Sequence, residues 1–337
     1  MKRILVAFIL LFVFCIPGLA QYTKFTPLLT PAKGSNLSPI SINNANQILA
    51  TYTNAVGQRK LIFAGTKGFT NINIPLDTST GSLYPAGLNA AGDFYGAADR
   101  LIGGKHVTEG FIKCHTAGPL RYFKVPDATG TVITGINDKG VVVGYYVEPV
   151  EPGPDVPYWI TSTAYGFRTV IQNSGIPPKI ETIGDGSTYL TGINNFGDIT
   201  GYVYEPNAPN DDSAAVFLFG FLLSKGQFYW VEANPGGPRI WNLIPRKMNS
   251  HGVMVGYASP NESPGLVYGH GFIMENGVVT FVDFPNVDSP NSEEGLLWLT
   301  INTTLLDIND SGTIIGGYEQ ISPWPPWDRR GGFVLTK

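Results

Sequence analysis

The sequence predicts an all-β chain built from one module used six times. Glycine (41) and proline (26) fill about a fifth of the 337 positions. That density of turn formers favours many short strands over long helices. A single pattern recurs along the chain: an apolar residue, Asn, two variable residues, Gly, then an apolar stretch ending in a small residue. A Gly–aromatic step follows most copies and opens another strand.

The six copies are anchored by Asn43, Asn89, Asn137, Asn194, Asn249 and Asn309. Ile42, Leu88, Ile136, Ile193, Met248 and Ile308 precede them. Three residues on stand Asn46, Gly92, Gly140, Gly197, Gly252 and Gly312; seven on stand Ala50, Gly96, Gly144, Gly201, Gly256 and Gly316. Each offset has a physical reading. Asn opens a tight turn and bonds its own backbone two residues on. The third residue takes positive φ, which suits Gly and, next best, Asn. This is a hairpin with a type I turn and a left-handed closing residue. The apolar positions flanking the turn face one side, toward a core. The small seventh residue implies close approach by a neighbouring backbone.

The Gly–aromatic steps are Gly110-Phe111, Gly220-Phe221, Gly271-Phe272 and Gly332-Phe333, with Gly68-Phe69 or Phe63 in the first copy and Trp159 in the third. A further short strand follows, as in Tyr122-Phe123-Lys124-Val125 and Phe281-Val282-Asp283-Phe284. Each module therefore reads as four strands. In the third copy they are Val132–Ile136, Val141–Tyr146, Tyr158–Ser162 and Phe167–Ile171. Tandem four-stranded modules of this length predict a six-bladed β-propeller of antiparallel blades. The last copy ends at its third strand, and a spare strand, Lys24–Leu29, precedes the first. Pairing of that N-terminal strand with the C-terminal blade would close the ring and hide its free edges. Kelch-type glycine pairs are out of phase, and the one Trp-Asp dipeptide, Trp327-Asp328, does not recur with the repeat.

The Ile-Asn-x-x-Gly-x-Val-x-Gly run, with a small residue and Phe about twenty residues later, resembles the HAF family of probable extracellular repeats. Asn137–Gly144, Asn194–Gly201 and Asn249–Gly256 carry the likeness, and His270-Gly271-Phe272 keeps the His-small-Phe step. The resemblance spans nearly all of the chain after residue 20. It implies export and a repeat fold, and no particular chemistry.

Lys2 and Arg3 precede the apolar run Ile4–Ile16, and small residues Gly18 and Ala20 follow. This is the pattern of a secretory signal peptide over residues 1–20, cleaved after Ala20. The apolar run is too short to cross about 30 Å of hydrocarbon, so no membrane insertion is expected after cleavage. The remaining single domain, 21–337, is then secreted or periplasmic. It retains one cysteine, Cys114, and so forms no internal disulfide. The chain carries 22 basic and 26 acidic residues, and charged residues make up only 14% of it. No basic stripe exists for nucleic acid. A monomer is expected.

Up-and-down strands place the Asn turns on one face and the long connections on the other. The connections Val147–Pro157, Glu205–Ala215, Ser259–Gly269 and Glu319–Arg330 hold most of the length variation and are rich in Pro, acids and aromatics. Function concentrates on such loops when a rigid scaffold carries them. The candidate binding residues are Trp324, Trp327, Arg329, Tyr146, Tyr204, Asp155, Asp211, Asp212, Tyr257 and Tyr268. The two tryptophans would offer a flat platform for a sugar ring or a partner side chain. None of His106, His115, His251 and His270 has metal-ligand spacing, and no nucleophile elbow or phosphate loop occurs. No catalytic set, metal or cofactor is expected.

The leading expectation is therefore a binding or scaffold module for a glycan or extracellular protein. The alternative is an extracellular carbohydrate-active hydrolase or lyase. It would use two carboxylates from among Asp155, Glu205, Asp211, Asp212, Glu262, Glu293 and Glu294.

Overall fold

A computed structural model describes residues 22–29, 31, 35–79, 81–114, 118–150, 162–170, 179–184, 186–205, 217–233, 241–260, 269–288, 297–321 and 328–337. Every regular element in them is a strand. β1 (Lys24–Pro27) precedes a first group of four: β2 (Ser35–Ile42), β3 (Ile48–Thr53), β4 (Arg59–Ala64) and β5 (Phe69–Ile72). After the short β6 (Asp77–Thr78) comes a second group, β7 (Gly81–Leu88), β8 (Phe94–Ile102), β9 (Lys105–Lys113) and β10 (Leu120–Phe123). The third is β11 (Gly130–Ile136), β12 (Val141–Pro149), β13 (Ser162–Val170) and β14 (Glu181–Ile183). The fourth is β15 (Thr188–Ile193), β16 (Ile199–Glu205), β17 (Phe217–Ser224) and β18 (Gln227–Trp230). The fifth is β19 (Trp241–Met248), β20 (Met254–Pro260), β21 (His270–Glu275) and β22 (Val278–Val282). Then follow β23 (Val287–Asp288), β24 (Leu297–Ile308), β25 (Ile314–Ile321) and β26 (Asp328–Thr336).

Within each group the strands pair antiparallel in chain order. Parallel bridges join the second group to the third, Gly130 with Thr108, and the fifth to the last, Gly269 with Asn302. β1 lies antiparallel to β26, with Lys24 opposite Thr336 and Pro27 opposite Phe333. The first strands of the groups neighbour one another in sequence, β2 with β7, β7 with β11, β11 with β15, β15 with β19 and β19 with β24, and β24 also neighbours β2. The architecture is all-β and propeller-like, with successive four-stranded sheets standing on their first strands.

The repeat explains the packing. Residues flanking each Asn turn are direct cross-strand partners, such as Ile42 with Ile48 and Met248 with Met254, and all four are buried. The closing residues have φ of 59° at Asn46 and 74–93° at the five glycines, the left-handed region. The small seventh residue lies opposite the aromatic of the Gly–aromatic step: Gly144 with Phe167, Gly256 with Phe272, Gly316 with Phe333. A Cβ on Gly256 would stand 2.6 Å from the Phe272 ring and would also meet the Ile244 carbonyl oxygen. In the first group Ala50 faces Ile62, so a smaller partner accompanies the one methyl group. The glycine before the aromatic serves the neighbouring sheet. A Cβ on Gly166 would meet Leu190, one on Gly271 would meet Leu305, and one on Gly332 would meet Pro39.

Two sequence expectations are corrected. The third strand of the third module is Ser162–Val170, centred on Gly166-Phe167, and the fourth is Glu181–Ile183. Val141–Pro149 pairs along the whole of β13, which leaves no break for a fourth strand at Phe167. Phe167 is fully buried, so it is the aromatic of this copy; Trp159 lies outside the described residues. In the first copy the equivalent position is Ile62, and Phe69 is exposed on the outer strand.

Candidate functional site

All six first strands carry the same irregularity. The register slips by one residue just before the Asn turn, at Ile40, Ala86, Thr134, Thr191, Arg246 and Leu306. A bulge re-aims the side chains beside it and leaves one residue outside the alternation of the strand. The following residues are Ser41, Gly87, Gly135, Gly192, Lys247 and Asp307. Three glycines, a serine and one opposed pair of charges therefore occupy equivalent positions on the inner strands.

The Asn turns lie beyond this level. Each Asn side chain accepts from its own turn: Oδ1 of Asn249 takes the N–H of His251 and of Val253, both at 3.0 Å. Its Nδ2 donates outward to the next turn, to the Asn309 carbonyl at 3.1 Å. Asn309 donates to the Asn43 carbonyl at 3.2 Å and Asn137 to that of Asn194 at 3.2 Å. Asn43 reaches the Asn89 carbonyl and Asn194 that of Asn249, both at 3.4 Å. All six line one depression of about 90 Å³, together with Tyr95, Lys247 and Asp307. Their side-chain oxygens are committed to the turns, so this ring is structural. Among the described residues no group of three His, Cys, Asp or Glu could hold a metal ion.

Lys247 crosses the interior. Its Nζ donates to the Thr134 carbonyl at 2.6 Å and contacts the Tyr95 hydroxyl at 3.4 Å. It passes Gly192, where a Cβ would stand 2.8 Å from its Cδ. Asp307 is buried and accepts from Ser41 Oγ (2.5 Å), the Ile42 N–H (3.0 Å) and the Ile308 N–H (2.8 Å). Desolvation nonetheless raises its pKa, against the lowering by Lys247 and these donors.

The neighbouring bulge residue, Arg246, is exposed to water. Desolvation lowers its pKa, opposed by Tyr202 and Tyr257. Among the described residues no hydrogen bond or ion pair holds its guanidinium. A group of half-buried tyrosines surrounds this position. The rings of Tyr189 and Tyr202 stack at 4.9 Å with planes 10° apart, and Tyr145 meets Tyr189 edge-on at 5.0 Å. Desolvation, then the neighbouring Tyr189, pushes the Tyr202 hydroxyl up to about 12. Burial likewise raises Tyr145, Tyr189 and Tyr257, with Tyr204 adding to the shift at Tyr189. Tyr145, Tyr202 and Tyr257 occupy the same position in three consecutive modules, directly after the small seventh residue.

Of the sequence candidates, Tyr204 and Tyr257 belong to this group. Tyr146 does not. Strand alternation turns it to the other side, where it is buried, stacks on Tyr165 at 5.5 Å and has its hydroxyl on Thr182 Oγ1. Arg329 is exposed on β26, its guanidinium carbon 5.9 Å from the Tyr318 ring centre. Trp324, Trp327, Asp155, Asp211, Asp212 and Tyr268 lie outside the described residues, as do Glu262, Glu293 and Glu294. Tyr145, Tyr189, Tyr202 and Arg246 were not among the candidates. Their signal was in the repeat itself: three tyrosines at one offset, and a basic pair at an offset where the other copies carry at most one charge.

No family model and no curated protein matches the chain. Solved structures similar to it include the acylaminoacyl peptidase of Pyrococcus horikoshii, at 10% identity and TM-score 0.43, covering 87% of this chain and 52% of that one. The chain thus spans about half the length of that peptidase. The β-propeller domain of the Trilobed protease from Pyrococcus furiosus, described as having an open velcro topology, matches at 10% identity and TM-score 0.38, covering 94% of each chain. An α-L-arabinofuranosidase from Podospora anserina, solved with cellotriose, matches at 12% identity and TM-score 0.34, covering 92% of this chain and 95% of that one.

Proposed function

We propose that the chain is an exported, closed six-bladed β-propeller that binds a glycan or an extracellular protein through the side of its inner strands opposite the Asn turns. The circuit of first strands, the six equivalent bulges and the antiparallel fit of β1 on β26 support the ring. The signal-like residues 1–20 support export and release of a domain beginning at Gln21. The observation that carries the binding role is the cluster of five partly accessible tyrosines beside Arg246, which has no ion-pair partner among the described residues. Aromatic faces with free hydroxyls bind ring-shaped and amphipathic ligands well. Trp324 and Trp327 are proposed to extend this surface. The test is a broad glycan array and a panel of extracellular surface proteins, probed with the wild-type chain and with Tyr189→Ala/Tyr202→Ala. Signals that disappear in the double variant support the reading; signals identical in both refute it.

A further inference from the structure

We propose that Arg246 and its tyrosines form a subsite for one carboxylate carried on a sugar ring, so that the ligand is a short uronate-bearing glycan. The inference rests on the binding role proposed above and names its ligand class.

Three observations lead there. First, Arg246 is a cation without a hydrogen-bond or ion-pair partner among the described residues. Its charged neighbour in sequence, Lys247, is satisfied by Thr134 and Tyr95, and the bulge sends the two side chains to different sets of neighbours. The groups that act electrostatically on Arg246 are Tyr202 and Tyr257, both neutral phenols in ordinary conditions. An accessible guanidinium with no carboxylate beside it among the described residues is free to receive one, and its planar fork binds a carboxylate through two parallel hydrogen bonds.

Second, the site is specific to one place in a repeating structure. The position of Arg246 is Ile40, Ala86, Thr134, Thr191 and Leu306 in the other modules. The fold therefore requires no cation there.

Third, the surrounding donors suit a sugar. Tyr145, Tyr189, Tyr202 and Tyr257 offer ring faces and hydroxyls, and no side-chain hydrogen bond among the described residues occupies those hydroxyls. A peptide would need backbone partners, and this group offers hydroxyls and a guanidinium. The chain as a whole is acidic, with net charge −4, and one cation stands in the cluster. Isolated carboxylates on a short chain fit this balance, and a densely charged polymer is repelled by it.

The experiment is calorimetric titration of the full chain with a trimer of galacturonic acid, the matching neutral galactose trimer and a glutamate-rich peptide. Wild type, Arg246→Gln, Arg246→Lys and Tyr202→Phe are compared, with thermal melts to confirm folding. The expected result is binding of the acidic trimer that weakens about tenfold or more in Arg246→Gln, less in Arg246→Lys, and falls with added salt. A charge-assisted hydrogen-bonded pair sets that scale. Equal affinity for the neutral trimer, or no change in Arg246→Gln, overturns the carboxylate while leaving a glycan-binding role intact. Binding of the peptide alone, lost in Arg246→Gln, overturns the sugar. No binding by any probe overturns the inference, and the array above then decides the broader role separately.

Discussion

Replacing Asn249 by Ala tests whether the ring of Asn turns holds the modules to one another or only shapes each hairpin. The substitution removes three hydrogen bonds. Two are within the turn, from the N–H groups of His251 and Val253, and one runs to the Asn309 carbonyl of the next module. The bonds to Val253 and Asn309 are buried; the Val253 N–H is left without a partner away from water, while the Asn309 carbonyl keeps the Gly312 N–H of its own turn. The orphaned N–H costs about 1–3 kcal/mol and each of the other two lost bonds about 0.5–1.5 kcal/mol, giving a loss of roughly 2–6 kcal/mol. Asn89 is the internal control. Its side chain accepts from the Asp93 N–H and donates to the Asp93 carboxylate, both bonds only part-buried, and water replaces them. Asn89→Ala should cost about 1 kcal/mol. Denaturant midpoints, with slopes checked for equality, measure the difference. Equal losses in the two variants would show that the bonds between modules contribute nothing, and that the turn alone accounts for the Asn.

Three further predictions follow from the packing and from the titrating groups. Gly256→Ala should destabilise by about 1–3 kcal/mol through overpacking. Its cost should be less than additive with Phe272→Ile, because the ring it meets is gone; additive midpoints in a double-mutant cycle would refute the pairing seen as Ala50 with Ile62. Lys247→Met removes the cation that lowers the buried Asp307. An acid whose pKa is raised on folding loses stability as pH climbs from the ordinary carboxylate range through its folded value. The gap between this variant and wild type should therefore widen once the pH passes the wild-type folded value, above the ordinary carboxylate range, and a constant gap would contradict the coupling. Tyr202, raised to about 12, contributes stability that is present below the ordinary tyrosine value and lost as pH rises through the folded one. Tyrosinate absorbance should show several late-titrating groups, one fewer of them in Tyr202→Phe; an unchanged titration curve would refute the assignment.

How legible this molecule is in its sequence depends on whether a feature repeats. The Asn turns, the left-handed closing residues and the small seventh positions were readable because six copies impose the same backbone geometry, and Asn46 and Ala50 show which variations that geometry admits. The seventh residue was read as facing a backbone. The structure adds an aromatic ring to it, because the cross-strand partner of Gly256 is Phe272. The third module was misread where its Gly-Phe step follows a long connection and an earlier Trp competes for the role. Tyr146 was chosen where Tyr145 belongs, since two adjacent tyrosines differ only in strand parity and the phase has to be taken from Gly144. The bulges were invisible, because one surplus residue in a short strand leaves no mark in composition.

The bulge is a second place where the modules differ, beside the long connections. Long loops attract attention as places where a scaffold varies, and the same logic applies within the scaffold once the copies are aligned. A position that is Ile, Ala, Thr, Thr and Leu in five modules is free of any demand from the fold for charge. Arginine there, in the fifth module, answers no such demand, and its electrostatic neighbours are Tyr202 and Tyr257, whose own ionisation is pushed up by burial. Asp307 and Lys247, one residue further along their strands, differ in this respect, since both are held by named partners. If Arg246 were only filling space, Arg246→Met should leave the protein at least as stable and every binding signal unchanged. If it receives a ligand, the same variant should gain stability in the melt while losing binding. A variant that loses stability would show instead that the guanidinium supports the fold, and would remove the physical reason for placing the site there.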